Sequence, residues 1–178
     1  TQSDHVSRSL AFGFIGHDIL AVYYQGKKDG LSRFDAEQLA MKKLSEYFTQ
    51  NYDPEVLGMV HGLVSRYIEN DVLSQMTILE VEEDFFIPVS DQFWYGMRID
   101  LLIKDSYGRV RLIDHKFTYD FYTPDALKQN SQMPKYVAGL RFAGYPVVEA
   151  YLNQFRTRFK AHLLGNKEDS DLYNRSPV

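Results

Sequence analysis

Three charged residues interrupt two apolar, β-prone segments in the middle of the chain, and they constrain the fold more than any other feature. Asp100 stands in the first segment, and Asp114 and Lys116 stand in the second. The four residues 105–108 (DSYG) between the segments have the composition of a turn. The pattern therefore predicts an antiparallel hairpin in which Asp100 lies beside Asp114.

The charges of the second segment fall on a face that is otherwise apolar. Side chains alternate along a strand, so Asp114 and Lys116 point to the same face as Leu112. A buried carboxylate is costly unless it is paired or bound to a metal. With Asp100 beside Asp114 and Lys116 one step further, the hairpin offers an oxygen-lined site for a hard divalent cation. The alternative is a buried Asp–Lys ion pair at a strand end.

Length and composition exclude several classes of protein. The 178 residues suit one domain with a sizeable core. No apolar run approaches the ~20 residues of a membrane-spanning helix, so no membrane partner is expected. The absence of cysteine excludes disulfides, thiolate zinc sites and cysteine-bound iron–sulfur clusters within this sequence. It also fits a reducing cytoplasm, such as that of a bacterial or phage-infected cell.

The charge balance argues against one mode of nucleic-acid binding. The formal net charge is −4 and the pI is about 5.7, whereas proteins that hold nucleic acid through a broad basic surface are usually basic. A nuclease is still compatible with this balance, because catalytic carboxylates are negative until a metal neutralises them.

Three helices are expected in the N-terminal part of the chain. The first has apolar residues at spacings of three and four from Phe12 to Tyr23 and ends near Gly26. The second spans Phe34 to Gln50. The third begins after Asp53-Pro54, because Asp caps a helix and Pro is tolerated in its first turn. The core side of the second helix is expected to include Phe34, Leu39, Leu44, Tyr47 and Phe48.

Strands dominate the part that follows. A strand from Ile78 to Pro88 precedes the hairpin, a further helix runs from residues 131–134 to about Gly144, and a last strand runs from Val147 to Phe155. Beyond Lys160 the sequence is polar and a frayed end is expected. The fold class predicted is α/β or α+β, with a mixed sheet of about four strands flanked by helices on both sides.

The charged residues suit phosphodiester hydrolysis assisted by Mg²⁺ or Mn²⁺. Asp100 and Asp114 are the candidate ligands, and the main-chain carbonyl of His115 could complete a set of oxygen ligands. The His115 side chain points to the opposite face, as a packing or surface group. Lys116 could be a general base, which requires lowering its pKa from about 10.4 to about 7 at a cost of roughly 4–5 kcal/mol. A charged lysine that orients water and stabilises the phosphorane requires no such shift, and we favour that role.

At this point the chain resembles a known family. Gly96-x-x-x-Asp100 followed by Asp114-His115-Lys116 resembles the signature of the PD-(D/E)XK nucleases. The resemblance extends to the RecB-type exonuclease branch, including phage-encoded members and the CRISPR-associated RecB-like nucleases. Three further elements match in order between residues 12 and 155: Gly-x-x-x-His at Gly13–His17, Glu-x-x-Phe at Glu82–Phe85, and Gln-x-x-x-Tyr at Gln132–Tyr136.

The resemblance implies a fold and a set of roles. The fold would be restriction-endonuclease-like. Separately from the resemblance, residues 1–178 are expected to be a single nuclease domain of a longer chain, with 1–76 mainly helical, 77–155 the catalytic core and 160–178 a polar tail. His17 would be a further metal ligand, which favours Mn²⁺ somewhat. Gln132 and Tyr136, four residues apart on one helical face, would bind substrate or brace the site. Glu82 would assist through metal-bound water.

Each implied role has a simpler alternative. His17 could be an ordinary core histidine, and His61 in Gly58-x-x-His61 competes for its place. Glu82 lies in a charge run that could be a solvated strand edge, and Gln132 and Tyr136 could be a helix cap and a core aromatic. The family commonly has Thr directly after the lysine, where this chain has Phe117. Several relatives carry four cysteines for an iron–sulfur cluster, and this chain has none.

The function expected is a divalent-metal-dependent DNA exonuclease of recombination or repair, acting in the cytoplasm. Basic residues near the site in sequence, Lys128, Lys135 and Arg141, could hold phosphates. The alternatives are a structure-selective endonuclease or resolvase on the same fold, and a non-catalytic DNA-binding module.

Overall fold

The elements of this protein alternate between helical and extended segments along the chain. The computed structural model describes residues 8–70, 73–157 and 173–177. The helices are α1 (Arg8–Lys28), α2 (Arg33–Tyr47), α3 (Pro54–Glu69), α4 (Pro124–Lys128) and α5 (Gln132–Phe142). The strands are β1 (Thr77–Pro88), β2 (Trp94–Lys104), β3 (Val110–Thr118), β4 (Val147–Arg156) and β5 (Tyr173–Pro177), and they form one sheet in the order β1-β2-β3-β4-β5.

This architecture confirms the predicted α+β class. The sheet has one strand more than the about four expected, because β5 lies in the segment interpreted as a frayed tail. The first part of that tail, 160–172, lies outside the described residues. The short helix α4 was also not predicted. It begins at a local signal, since the Thr123 side chain accepts from the Ala126 N–H and Pro124 occupies the first turn.

The starts of α2 and α3 follow local capping rules. The Asp53 side chain accepts a hydrogen bond from the Glu55 N–H, and Pro54 is the first residue of α3, as predicted. Ser32 caps α2 by accepting from the Asp35 N–H. These caps satisfy amide groups that have no partner within the helix.

The predicted core face of α2 was partly wrong. Phe34, Leu39 and Phe48 are exposed. The buried residues of α2 are Ala36, Ala40, Leu44 and Tyr47, one stripe at spacings of three and four. Phe34 and Leu39 point away from this stripe, and Phe48 follows the last residue of the helix. The stripe meets α1 closely at Ala36, because a Cβ added at Gly26 of α1 would lie 3.2 Å from the Cβ of Ala36.

Two compact units can be distinguished in the chain. The first contains α1, α2 and α3 with residues 116–121 and 154–157, and the second contains residues 73–115 and 122–153, with β5 divided between them. Of the helices in the described ranges, none has the length and apolar character needed to cross a membrane.

An aromatic cluster forms part of the first unit. The Phe117 ring stacks on Phe155 with ring centroids 4.5 Å apart and also contacts Phe12 of α1 at 5.9 Å. A Cβ at Gly16 would overlap the Phe117 ring, so glycine is required where α1 passes this side chain. Phe117 is therefore a packing residue.

Two antiparallel hairpins that share β2 organise the second unit. The pairs Val81–Leu101, Glu83–Ile99 and Phe86–Gly96 set the register of β1 and β2, and the pair Leu101–Ile113 sets that of β2 and β3. The predicted turn at 105–108 is present. Gly108 has φ +79°, and Asp105 accepts from the Tyr107 and Arg109 N–H groups at 2.9 Å each.

Helix α5 covers the apolar face of these hairpins. Met97 and Ile99 of β2 pack with Met133, Tyr136 and Leu140 of α5. A Cβ at Gly139 would lie 2.8 Å from the Met97 side chain, so the glycine lets helix and strand approach closely. The opposite face of β1 and β2 carries the polar residues described next.

Candidate metal centre

Asp100 and Asp114 lie on neighbouring strands. Because Leu101 pairs with Ile113 and the strands are antiparallel, the next position along brings Asp100 beside Asp114, as the sequence predicts. Asp114 is buried and Asp100 is half-buried. The main-chain N–H of His115 donates to Asp100 Oδ2 at 2.5 Å, which orients this carboxylate.

Glu82 lies on β1, directly opposite Asp100 of the neighbouring strand β2. Its neighbours Val81 and Glu83 pair with Leu101 and Ile99, which leaves Glu82 opposite Asp100. Glu82 has φ +48°, a left-handed conformation that a non-glycine residue seldom adopts. A strained residue of this kind persists only where the surroundings hold it, and such residues cluster at functional sites.

Arg98 holds Glu82 through both its main chain and its side chain. The Arg98 Nε donates to the Glu82 carbonyl at 3.3 Å and lies 3.3 Å from Glu82 Oε2, with Asp84 Oδ1 at 3.8 Å. The sequence interpretation missed Arg98. The signal was available, because Arg98 is two residues from Asp100 and so shares its face of the strand.

Two potential metal-binding side chains come together at this place. One carboxylate oxygen of Glu82 and one of Asp100 lie within 4.8 Å of each other, and both residues are half-buried. Carboxylate oxygens are the ligands that Mg²⁺ and Mn²⁺ prefer. His61, the histidine that competes with His17 in the sequence, is exposed on α3.

His17 packs against an aromatic residue of its own unit. Its ring makes an edge-on contact with Phe117, with centroids 5.6 Å apart. The same Phe117 ring lies against Gly16. Gly16 thus lets Phe117 approach α1, and Phe117 in turn contacts the neighbouring imidazole.

The His115 ring is buried and lies on the opposite face of β3 from Asp114. Its Nδ1 is 3.0 Å from the amide nitrogen of Asn153, which is fully buried on β4. The amide donates to Nδ1 in this arrangement, so Nδ1 acts as the acceptor. Asn153 was not found from the sequence, although a buried amide in an apolar strand segment is a usable signal.

The remaining predicted site residues are distributed along β3 and α5. Lys116 is half-buried, two residues beyond Asp114 on the same face of β3. Gln132 and Tyr136 are joined, since the Gln132 amide donates to the Tyr136 hydroxyl at 2.7 Å. Of the basic residues considered for phosphate binding, Lys128 pairs with Asp125 at 3.3 Å and Arg141 Nε donates to the Val147 carbonyl at 2.8 Å.

No protein-family model and no curated protein matches the chain. A solved structure described as "Crystal structure of SSO0001" is 14% identical to this chain, with a TM-score of 0.42. The similarity covers 93% of this chain and 78% of that one.

Proposed function

We propose that this protein is a divalent-metal-dependent DNA exonuclease that hydrolyses phosphodiester bonds in recombination or repair, in the cytoplasm. The observation that carries the proposal is the pair of carboxylates of Glu82 and Asp100, whose oxygens lie within 4.8 Å of each other. Asp114-His115-Lys116 stands on the adjacent strand, with Asp114 beside Asp100. The motif resemblance supplies the substrate class.

The donor set fits a small hard cation. Carboxylate oxygens are the ligands that Mg²⁺ and Mn²⁺ prefer, and an imidazole is acceptable to Mn²⁺. His17, Glu82, Asp100 and Asp114 would hold the ion, with the His115 carbonyl as a further oxygen. Such an ion supplies charge neutralisation at the phosphate and activation of water.

The other residues have roles that follow from charge and position. Lys116, in its protonated form, would orient the attacking water and stabilise the negative charge that develops on the phosphate oxygens. The His115 N–H holds the Asp100 carboxylate in place. Arg98 holds Glu82, and Gln132 with Tyr136 would contact the DNA or brace the site.

The first experiment is a cleavage assay on linear and covalently closed DNA, single-stranded and duplex, with Mg²⁺, Mn²⁺ or EDTA. We expect metal-dependent loss of linear DNA alone. Lys116→Ala should lower the rate by about 10²–10³-fold, the usual effect of removing one group that stabilises transition-state charge.

Lys104→Ala is the matched control, because Lys104 is an exposed lysine at the end of β2. It should cleave like the unmodified protein. Cutting of closed circles would instead indicate an endonuclease or resolvase. Absence of cleavage by a folded protein with either metal would contradict the catalytic proposal and favour a DNA-binding module.

A further inference from the structure

Strands β1 and β2 form a two-stranded ribbon. Its exposed face carries, in one row, the carboxylates of the candidate metal centre and two aromatic side chains. Alternation along antiparallel strands places alternate pairs on one face, and the pairs Asp84–Arg98, Phe86–Gly96 and Pro88–Trp94 continue the row that begins at Glu82 and Asp100. The other face is the apolar one that α5 covers. The row is therefore a continuous track that starts at the candidate metal centre.

Phe86 and Trp94 are unusually exposed for residues of a sheet. Their exposed fractions are 69% and 64%. Gly96 leaves space in the row, and the Phe86 ring lies over it, with its edge 3.5 Å from the position of a Gly96 Cβ. An aromatic ring lying across a strand in this way presents a flat apolar surface to solvent.

The order of groups along the track matches an unpaired nucleic-acid strand. At ~3.4 Å per residue, Trp94 is ~20 Å from Asp100 along β2, a length that several nucleotides can cover. Aromatic rings bind bases by stacking, and this binding tolerates any sequence. Bases in a duplex already stack on one another, so only an unpaired strand offers them to such rings.

The charged residues of the track indicate which interaction would hold such a strand. Glu82, Asp84 and Asp100 are acidic and Arg98 is the basic residue among them, 60% exposed. A polyanion gains little net electrostatic attraction from this set. Stacking must therefore provide most of the binding, and the dependence on salt concentration should be shallow.

We propose that the exposed face of the β1–β2 ribbon, with Phe86 and Trp94 as stacking platforms, binds the unpaired end of a single-stranded DNA whose scissile phosphate lies at the carboxylates. The inference rests on the proposed nuclease function for the location of the scissile phosphate. The stacking surface itself depends on the ribbon alone.

The single tryptophan of the chain makes a direct test possible. Trp94 fluorescence would be measured in the Lys116→Ala variant with Mn²⁺, during titration with a 15-nucleotide oligothymidylate. We expect saturable quenching by the single strand and none by a blunt duplex of equal length. Phe86→Ala should weaken binding about tenfold, while Phe142→Ala, which removes an equally exposed phenylalanine on α5, should leave it unchanged.

The outcomes separate this surface from the catalytic proposal. Quenching without cleavage by the unmodified protein would keep the surface and overturn the nuclease. Cleavage of single-stranded DNA with unaltered Trp94 emission and an unaltered Phe86→Ala affinity would overturn the surface and keep the nuclease. A concentration-dependent blue shift of Trp94 emission without DNA would show that a second copy covers this face, and would also overturn the proposal.

Discussion

The two hairpins that share β2 use their charged residues in opposite ways. In the β2–β3 hairpin, Asp105 is buried and accepts from the N–H groups of Tyr107 and Arg109. The guanidinium groups of Arg109 and Arg111 lie 2.8 and 3.1 Å from its Oδ2. These partners lie in the turn or in the strand after the turn, so the Asp105 carboxylate has a structural role.

In the β1–β2 hairpin a charged residue has a strained backbone, and two large aromatic residues are exposed. Glu82 has a left-handed backbone, and two large aromatic residues, Phe86 and Trp94, face solvent. A left-handed backbone at a non-glycine residue costs free energy, and an exposed aromatic side chain gains little from burial. Proteins depart from local rules mainly at functional sites, so the difference favours the first hairpin as part of the proposed site and the turn of the second hairpin as structural support.

Replacing one aspartate of each kind by asparagine tests this comparison, and we expect the largest effect on cleavage here. Asp100→Asn should lower cleavage by about 10³-fold and weaken Mn²⁺ binding, because it removes an anionic ligand, while the Tm changes little. Asp105→Asn should lower the Tm, because an amide nitrogen then faces two guanidinium groups, while Mn²⁺ affinity is retained. Calorimetric titration and thermal unfolding measure the two effects. Equal losses of affinity in both variants would contradict the assignment.

The strain at Glu82 can be separated from its charge. Glu82→Gln keeps the left-handed backbone, whereas Glu82→Gly relieves it, because glycine adopts φ > 0 without steric cost. We expect the glycine variant to have a free energy of unfolding about 1 kcal/mol above that of the glutamine variant. Both should bind Mn²⁺ weakly. Denaturant unfolding measures the difference, and an equal or lower stability of Glu82→Gly would show that the backbone is not strained.

The smallest expected effect is an acid dependence from the second hairpin. Burial raises the pKa of Asp105, but hydrogen bonds from Arg109 and Tyr107 outweigh it and hold the pKa below its usual value. The unfolded chain then binds the proton more readily, so the stabilisation is present above about pH 4 and is lost as the pH falls through the folded-state pKa. Asp105→Asn should flatten the stability curve below pH 4. A curve parallel to that of the unmodified protein would contradict this.

Sequence reasoning succeeded where the decisive interactions are local. The Asp53-Pro54 start of α3 and the turn at 105–108 each depend on residues within a few positions. The hairpin register that brings Asp100 beside Asp114 depends on a short turn and on alternation. These features follow from backbone geometry and capping, which do not need a distant partner.

Sequence reasoning failed where contacts with a distant segment decide which face of a helix is buried or which residues pair. Phe34 and Phe48 were expected in the core but are exposed, because the buried stripe of α2 is the one that contains Ala36 and meets α1 closely. The link between His115 and Asn153 joins residues 38 positions apart. No local pattern indicates such a pairing.

The sequence by itself determined the α+β class, the main hairpin and the candidate residues Asp100, Asp114 and Lys116, because period-two alternation and turn composition act within a few residues. Only the tertiary structure decided that Glu82 adopts a left-handed conformation held by Arg98, and that Phe86 and Trp94 share its face of the ribbon. The physical reason is that strand register and side-chain packing depend on contacts between segments, and these contacts exist only once the chain has folded.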